Sequence, residues 1–234
     1  MMSSHLAMPQ EGHLHQVFQM FAYLKKYHNT EMVYDPSDPV IDEASFELKD
    51  WKSSEFGHIQ GKEELPTNMP QPRGQGFVLR AKVDADHAVD TVKRWSRTGL
   101  IIYLNSDPIY WHSKKQNSVE SSSFGSEFIA MKHCCEYIRG LRYKMRMMVI
   151  PCEVPAFIQG DNQSILVNTT IPKSIINKKN QSIAYHFVRE GATRDEWRTT
   201  YVNNHNNAAD LLTKLMPSGE KRKGLFRRIL QHIF

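Results

Sequence analysis

From residue 76 onward three short strand-like runs follow one another before any helical stretch, and strand-like and helix-like segments then alternate to the end of the chain. Residues 77–84, 98–105 (TGLIIYLN) and 108–113 (PIYWHS) are the three opening runs, and Asn105-Ser106-Asp107-Pro108 supplies turn chemistry between the last two. This spacing predicts an antiparallel meander. Residues 126–148 then set Phe128, Met131, Cys135, Ile138, Leu141, Met145 and Met148 at helical intervals, with Ser123 or Ser126 available as a cap. A fourth strand is expected over 154–160, helices over 162–169 and 182–190, and a fifth strand over 198–202. Helices over 206–215 and 221–233, broken at Met216-Pro217-Ser218-Gly219, close the chain. A meander followed by such alternation folds as an α/β protein with a mixed five-stranded sheet flanked by helices.

Upstream the character differs. Over 11–27, Leu14, Val17, Phe18, Phe21 and Leu24 form one apolar helical face that needs something to pack against. Prolines 36, 39, 66, 70 and 72 then punctuate an acidic, serine-bearing stretch with a short structured patch around 46–51. The expected organisation is a helical appendage (1–34), a Pro-rich linker (35–75) and an α/β domain (76–234). A chain of 234 residues with 40% hydrophobic content supports one well-buried domain plus such an appendage. Cys134, Cys135 and Cys152 lack C-x-x-C pairing and are odd in number, which argues against a disulfide framework and for a reducing, intracellular setting. No apolar stretch has the length of a membrane span, so a soluble chain with no membrane partner is expected. The formal charge of +5 suits a polyanionic partner.

Four acids stand where such a sheet collects side chains. Asp84 ends the first strand-like run, Glu127 opens the long helix, Asp161 follows the fourth strand and Asp210 opens a late helix. Each has a purely structural role open to it: turn former, helix-dipole partner, N-cap and exposed helical residue, respectively. Asp86, two residues from Asp84, is the natural substitute for it. Four carboxylates gathered together would repel one another unless divalent cations sat between them, which implies Mg²⁺ or Mn²⁺ and metal-assisted phosphodiester cleavage.

The strings VDADHA (83–88), WSRTG (95–99), PIYWHSKKQNSVESSSFGSEFIAMK (108–132), GLRYKMRMM (140–148), GDNQSI (160–165), YHFVRE (185–190) and AADLLTKLMP (208–217) together resemble the ribonuclease H domain of copia-type long-terminal-repeat retrotransposon Pol polyproteins. PQEGHL (9–14) and FAYLKK (21–26) are similar to the segment that connects the reverse transcriptase to that domain. The resemblance implies a ribonuclease H-like fold and endonucleolytic cleavage of the RNA strand of RNA–DNA hybrids. It implies two Mg²⁺ (or Mn²⁺) held by Asp84, Glu127, Asp161 and Asp210. It also implies a cytoplasmic (virus-like particle) or nuclear location and the reverse transcriptase portion of Pol as a further partner. The polymerase catalytic aspartates are absent here, so no polymerisation is expected. An inactive Pol fragment that at most binds nucleic acid is the alternative.

The chain departs from the family pattern at Val89, where a glycine-containing turn is usual, and at Asn177-Lys178-Lys179-Asn180-Gln181, where a basic-plus-His run is usual. His205, five residues before Asp210, is open to the role of the mobile histidine that some ribonucleases H use for product release, or to that of a solvated loop residue. Lys114 and Lys115, beside Trp111, are candidate phosphate contacts, and Arg139, Arg142, Lys144 and Arg146 line the long helix. No HExxH, zinc spacing or phosphate-cradling glycine loop occurs, and His13 and His15 fall on different helix faces.

Overall fold

Strand β1 (Leu79–Asp86) is the centre of the sheet and shows how this sequence sorts its side chains. Its residues alternate: Leu79, Ala81, Val83 and Ala85 enter the main core, and Arg80, Lys82 and Asp84 point to the other face. β2 (Arg97–Leu104) and β3 (Asp107–Lys115) follow as antiparallel neighbours, while β4 (Ala156–Gly160) and β5 (Trp197–Tyr201) add in parallel on the opposite side of β1. The strand order β3-β2-β1-β4-β5 is the mixed five-stranded α/β sheet expected. This computed structural model describes residues 7–35, 37–61, 63–90, 92–173 and 182–230. The degraded run at 177–181 lies outside them.

Helix α1 (Glu11–Lys26) precedes the sheet. Helices α2 (Ser123–Met147), α3 (Gln163–Thr170) and α4 (Ser182–Thr193) pack with the sheet's main core. There Phe128, Met131, Cys135 and Ile138 of α2 meet Leu100, Ile102, Ile158, Val188 and Trp197. The opposite face is covered by α5 (Asp210–Thr213) and by the chain beyond α6 (Glu220–Phe226). Ile101 and Tyr103 of β2 pack there against Ala208, Leu212 and Ile229. β2 is thus buried on both faces, which is why its sequence is a continuous apolar run rather than an alternating one. Gly99 makes room for this covering. A Cβ at that position would lie 2.6 Å from Thr213 Cγ2 and 3.0 Å from the Ala209 carbonyl oxygen.

Several boundaries move, and with them the roles of site residues. β1 runs to Asp86, so Asp84 lies inside the strand rather than at its end. β3 runs to Lys115, so Lys114 and Lys115 are its last residues. The cap of α2 is Ser122, not Ser123 or Ser126: its side chain accepts from Gly125 N at 3.2 Å. Glu127 consequently sits in the second turn of α2. Asp161 is not the N-cap of α3, because Asn162 Oδ1 takes that role from Ile165 N at 3.3 Å. In the turn where the family pattern has glycine, the positive φ falls on Ala88, at 53°, and not on Val89.

The stretch 35–75 is short of regular structure yet closely applied to the sheet. Phe46 and Trp51 are buried, Phe46 stacks edge-on against Phe157 at 4.8 Å, and Trp51 lies under the Arg189 guanidinium at 4.8 Å. Glu63 binds Arg142 and Arg146, at 2.8 and 2.6 Å. The apolar face of α1 is largely exposed, with Leu14, Phe18, Phe21 and Leu24 each keeping more than half their surface open. No described helix is long and apolar enough to cross a membrane. The three cysteines are free and buried.

Candidate active site

Three of the four acids come together. One carboxylate oxygen each of Asp84, Glu127 and Asp161 lies within 4.8 Å of the others. They arrive from three elements: the outer face of β1, the second turn of α2, and the residue immediately after β4. The parallel pairing of β1 with β4 sets Val83 opposite Gly160, so Asp84 and Asp161 leave adjacent strands at the same level. Glu127 and Asp161 open onto a cleft of about 670 Å³ that Asp86, His87, Ser123, Asn162, Gln163, Tyr201, Asn204 and Lys214 also line, while Asp84 is fully buried beside it.

The cluster is electrostatically strained without a cation. Burial, and then the charges of Asp84 and Asp161, push Glu127 up to about 9. Burial pushes Asp84 up to about 6, with Lys214 and the Thr213 hydroxyl opposing the shift. Asp161 is raised for the same first reason. Carboxylates whose charged form is disfavoured by burial and mutual repulsion are the donor set a hard divalent cation relieves. The residues present therefore fit such an ion at Asp84, Glu127 and Asp161.

Asp210 is placed differently. It is fully buried, not exposed on a helix, and lies behind Lys214. Lys214 Nζ donates to Asp210 Oδ1 at 2.7 Å and to Asp84 Oδ1 at 3.1 Å. Lys221 Nζ donates to Asp210 Oδ2 at 2.7 Å. The second oxygen of Asp84 accepts from the Thr213 hydroxyl. Burial works against the charge on Lys214, yet Asp84 and Asp210 outweigh it and hold the ammonium above its ordinary range. Lys214 and Thr213 stand within the ADLLTK string, but nothing in their spacing marks them. Only the docking of α5 on β1 and β2 brings them to Asp84.

Of the basic candidates, Lys114 and Lys115 are exposed at the end of edge strand β3, with Lys115 Nζ 4.3 Å from the centre of the Trp95 ring. Register places Lys114 level with Thr98 and Ala85, and Lys115 level with Arg97 and Asp86, on the strand rim that carries the acids. The arginines of α2 are committed internally: Arg139 to Glu196, and Arg142 and Arg146 to Glu63 and the Cys152 carbonyl. His205 is exposed in the short 3₁₀ turn Asn204–Asn206.

No protein-family model matches the chain. It is 31% identical over 142 residues to the Retrovirus-related Pol polyprotein from transposon RE2 of Arabidopsis thaliana, a match covering 61% of this chain and 10% of that protein. It is 26% identical over 151 residues to the polyprotein from transposon TNT 1-94 of Nicotiana tabacum, covering 62% and 11%. Among solved structures, the N-terminal RNase H domain of a Mycobacterium tuberculosis protein aligns with a TM-score of 0.45 at 10% identity, over 59% of this chain and 91% of that one. The chain spans about a tenth of the length of the curated relatives it matches. Its homologues are thus retrovirus-related Pol polyproteins of copia-type transposons, as the motifs from VDADHA to AADLLTK indicate.

Proposed function

We propose that this chain is a ribonuclease H that cuts the RNA strand of RNA–DNA hybrids endonucleolytically, with Asp84, Glu127 and Asp161 holding Mg²⁺ or Mn²⁺. The observation that carries the reading is the convergence of those three carboxylates to within 4.8 Å, two of them, Glu127 and Asp161, lining a polar cleft. A bound divalent cation would supply the charge that activates water and stabilises the negative charge developing on the phosphodiester. The chain's own groups do the rest. Asn162, Gln163, Asn204 and Tyr201 offer donors and acceptors along the cleft, suited to reading a 2′-hydroxyl. Lys114 and Lys115, on the same rim, suit tracking of phosphates along the duplex. In a longer polyprotein the reverse transcriptase portion would add affinity for the hybrid.

Three carboxylates suffice for one ion. The pair of ions that the resemblance implies would need Asp210 as well, and Lys214 and Lys221 hold it. That engagement favours a second reading, a Pol fragment that binds nucleic acid without cutting. Labelled RNA–DNA hybrid incubated with the chain and Mg²⁺ separates the two. The enzyme shortens the RNA strand and falls to background as Asp161→Asn, while a binding fragment retards the hybrid and leaves it whole. An all-DNA duplex in parallel should remain uncut, and cleavage of it would indicate a general nuclease instead.

A further inference from the structure

The geometry points to Lys214 as a built-in cation that takes the place of a second metal ion, so that the acidic site binds one divalent cation per chain rather than two. The inference rests on the reading of Asp84, Glu127 and Asp161 as metal ligands. Lys214 Nζ lies between two fully buried carboxylates, 3.1 Å from Asp84 Oδ1 and 2.7 Å from Asp210 Oδ1. A second ion held by Asp84 and Asp210 would compete with the Lys214 ammonium for the oxygens it already engages. The ammonium is held there at both ends of its residue: Lys214 N donates to the Asp210 carbonyl at 3.0 Å, and Nζ reaches the Asp210 side chain. Lys221 occupies the other oxygen of Asp210.

Each side-chain oxygen of Asp210 already accepts from an ammonium, Oδ1 from Lys214 and Oδ2 from Lys221, so Asp210 has no oxygen left to offer a further ion without displacing a lysine. Lys214 is then a positioning residue. It holds Asp84 and Asp210 in register and fixes how many ions the cluster accepts, without itself touching the scissile bond.

Mn²⁺ titration of the full chain, followed through the electron paramagnetic resonance of free Mn²⁺, tests this without reference to catalysis. The wild-type chain should take up one ion and Asp161→Asn should lose it. Lys214→Met, which removes the ammonium and keeps the bulk, should take up two. Two ions of comparable affinity in the wild type overturn the inference and leave the metal reading standing. So does a single ion in a Lys214→Met chain that circular dichroism shows to be folded. Absence of any ion from the wild type overturns both. Should Lys214→Met fail to fold, the wild-type stoichiometry and that of Lys214→Gln decide the question.

Discussion

Asp84 and Gly99 face each other across β1 and β2, and the missing side chain of the second gives the first its surroundings. Because Gly99 has no Cβ, Thr213 can approach close enough for its hydroxyl to bind Asp84, and Lys214 follows. Gly99→Ala should therefore displace α5, cost about 1–3 kcal/mol as an overpacked contact, and weaken Mn²⁺ uptake at Asp84. Urea unfolding and metal titration of one preparation check both effects, and an unchanged melt would remove Gly99 from this role. Ala88 is the opposite case. It holds φ at 53° beside the site, its N–H donating to Ser96 Oγ at 3.1 Å, in a conformation that costs an L-residue roughly 1–2 kcal/mol. Ala88→Gly removes that strain at some cost in chain entropy. A gain of up to about 1 kcal/mol in urea is expected.

At the scale of elements, the stretch 35–75 shows how little regular structure is needed to bind a segment to a sheet. The short patch around 46–51 was legible as an aromatic interruption in a polar run. Its destination was not, since Phe157 and Arg189, the partners of Phe46 and Trp51, lie more than a hundred residues away. Glu63 is the polar anchor. Burial alone would raise its carboxyl, but Arg146 and Arg142 outweigh burial and hold it below the ordinary range. A carboxyl lowered in the folded state lends stability that is complete above its unfolded value, about 4.3, and is lost as pH falls through the folded one. Glu63→Gln should thus cost on the order of 2 kcal/mol at pH 7, reduced from a fully buried pair because Glu63 keeps some solvent and Arg142 keeps two carbonyls. The difference from wild type should shrink as urea melts are taken from pH 5 to pH 3. Parallel curves over that range would show that the ion pair contributes nothing.

At the scale of the whole molecule the acidic cluster is a place where the fold holds charge at a cost, and a bound cation should stabilise the folded chain. At about 100 times its dissociation constant, Mg²⁺ should add roughly 2.7 kcal/mol, seen as a rise in Tm that Asp161→Asn loses. A Tm indifferent to Mg²⁺ in the wild type would count against the cluster as a cation site. Three strand-like runs in succession, the long 3.6-period run of α2 and the alternation of strand and helix after it were enough to infer a mixed five-stranded sheet, because burial imposes its own repeat on each element. The same patterns put acids near strand ends and helix starts. Which of those acids meet was decided elsewhere. Asn162 and Ser122 took the capping roles that Asp161 and Glu127 would otherwise have filled, and the parallel register of β1 with β4 brought Asp84 level with Asp161. The approach of α5 through the gap at Gly99 then placed Lys214 between Asp84 and Asp210. Periodicity is a local property that a sequence carries on its face, whereas a contact between residues 84 and 214 depends on how separately formed layers pack, and no interval along the chain encodes that distance.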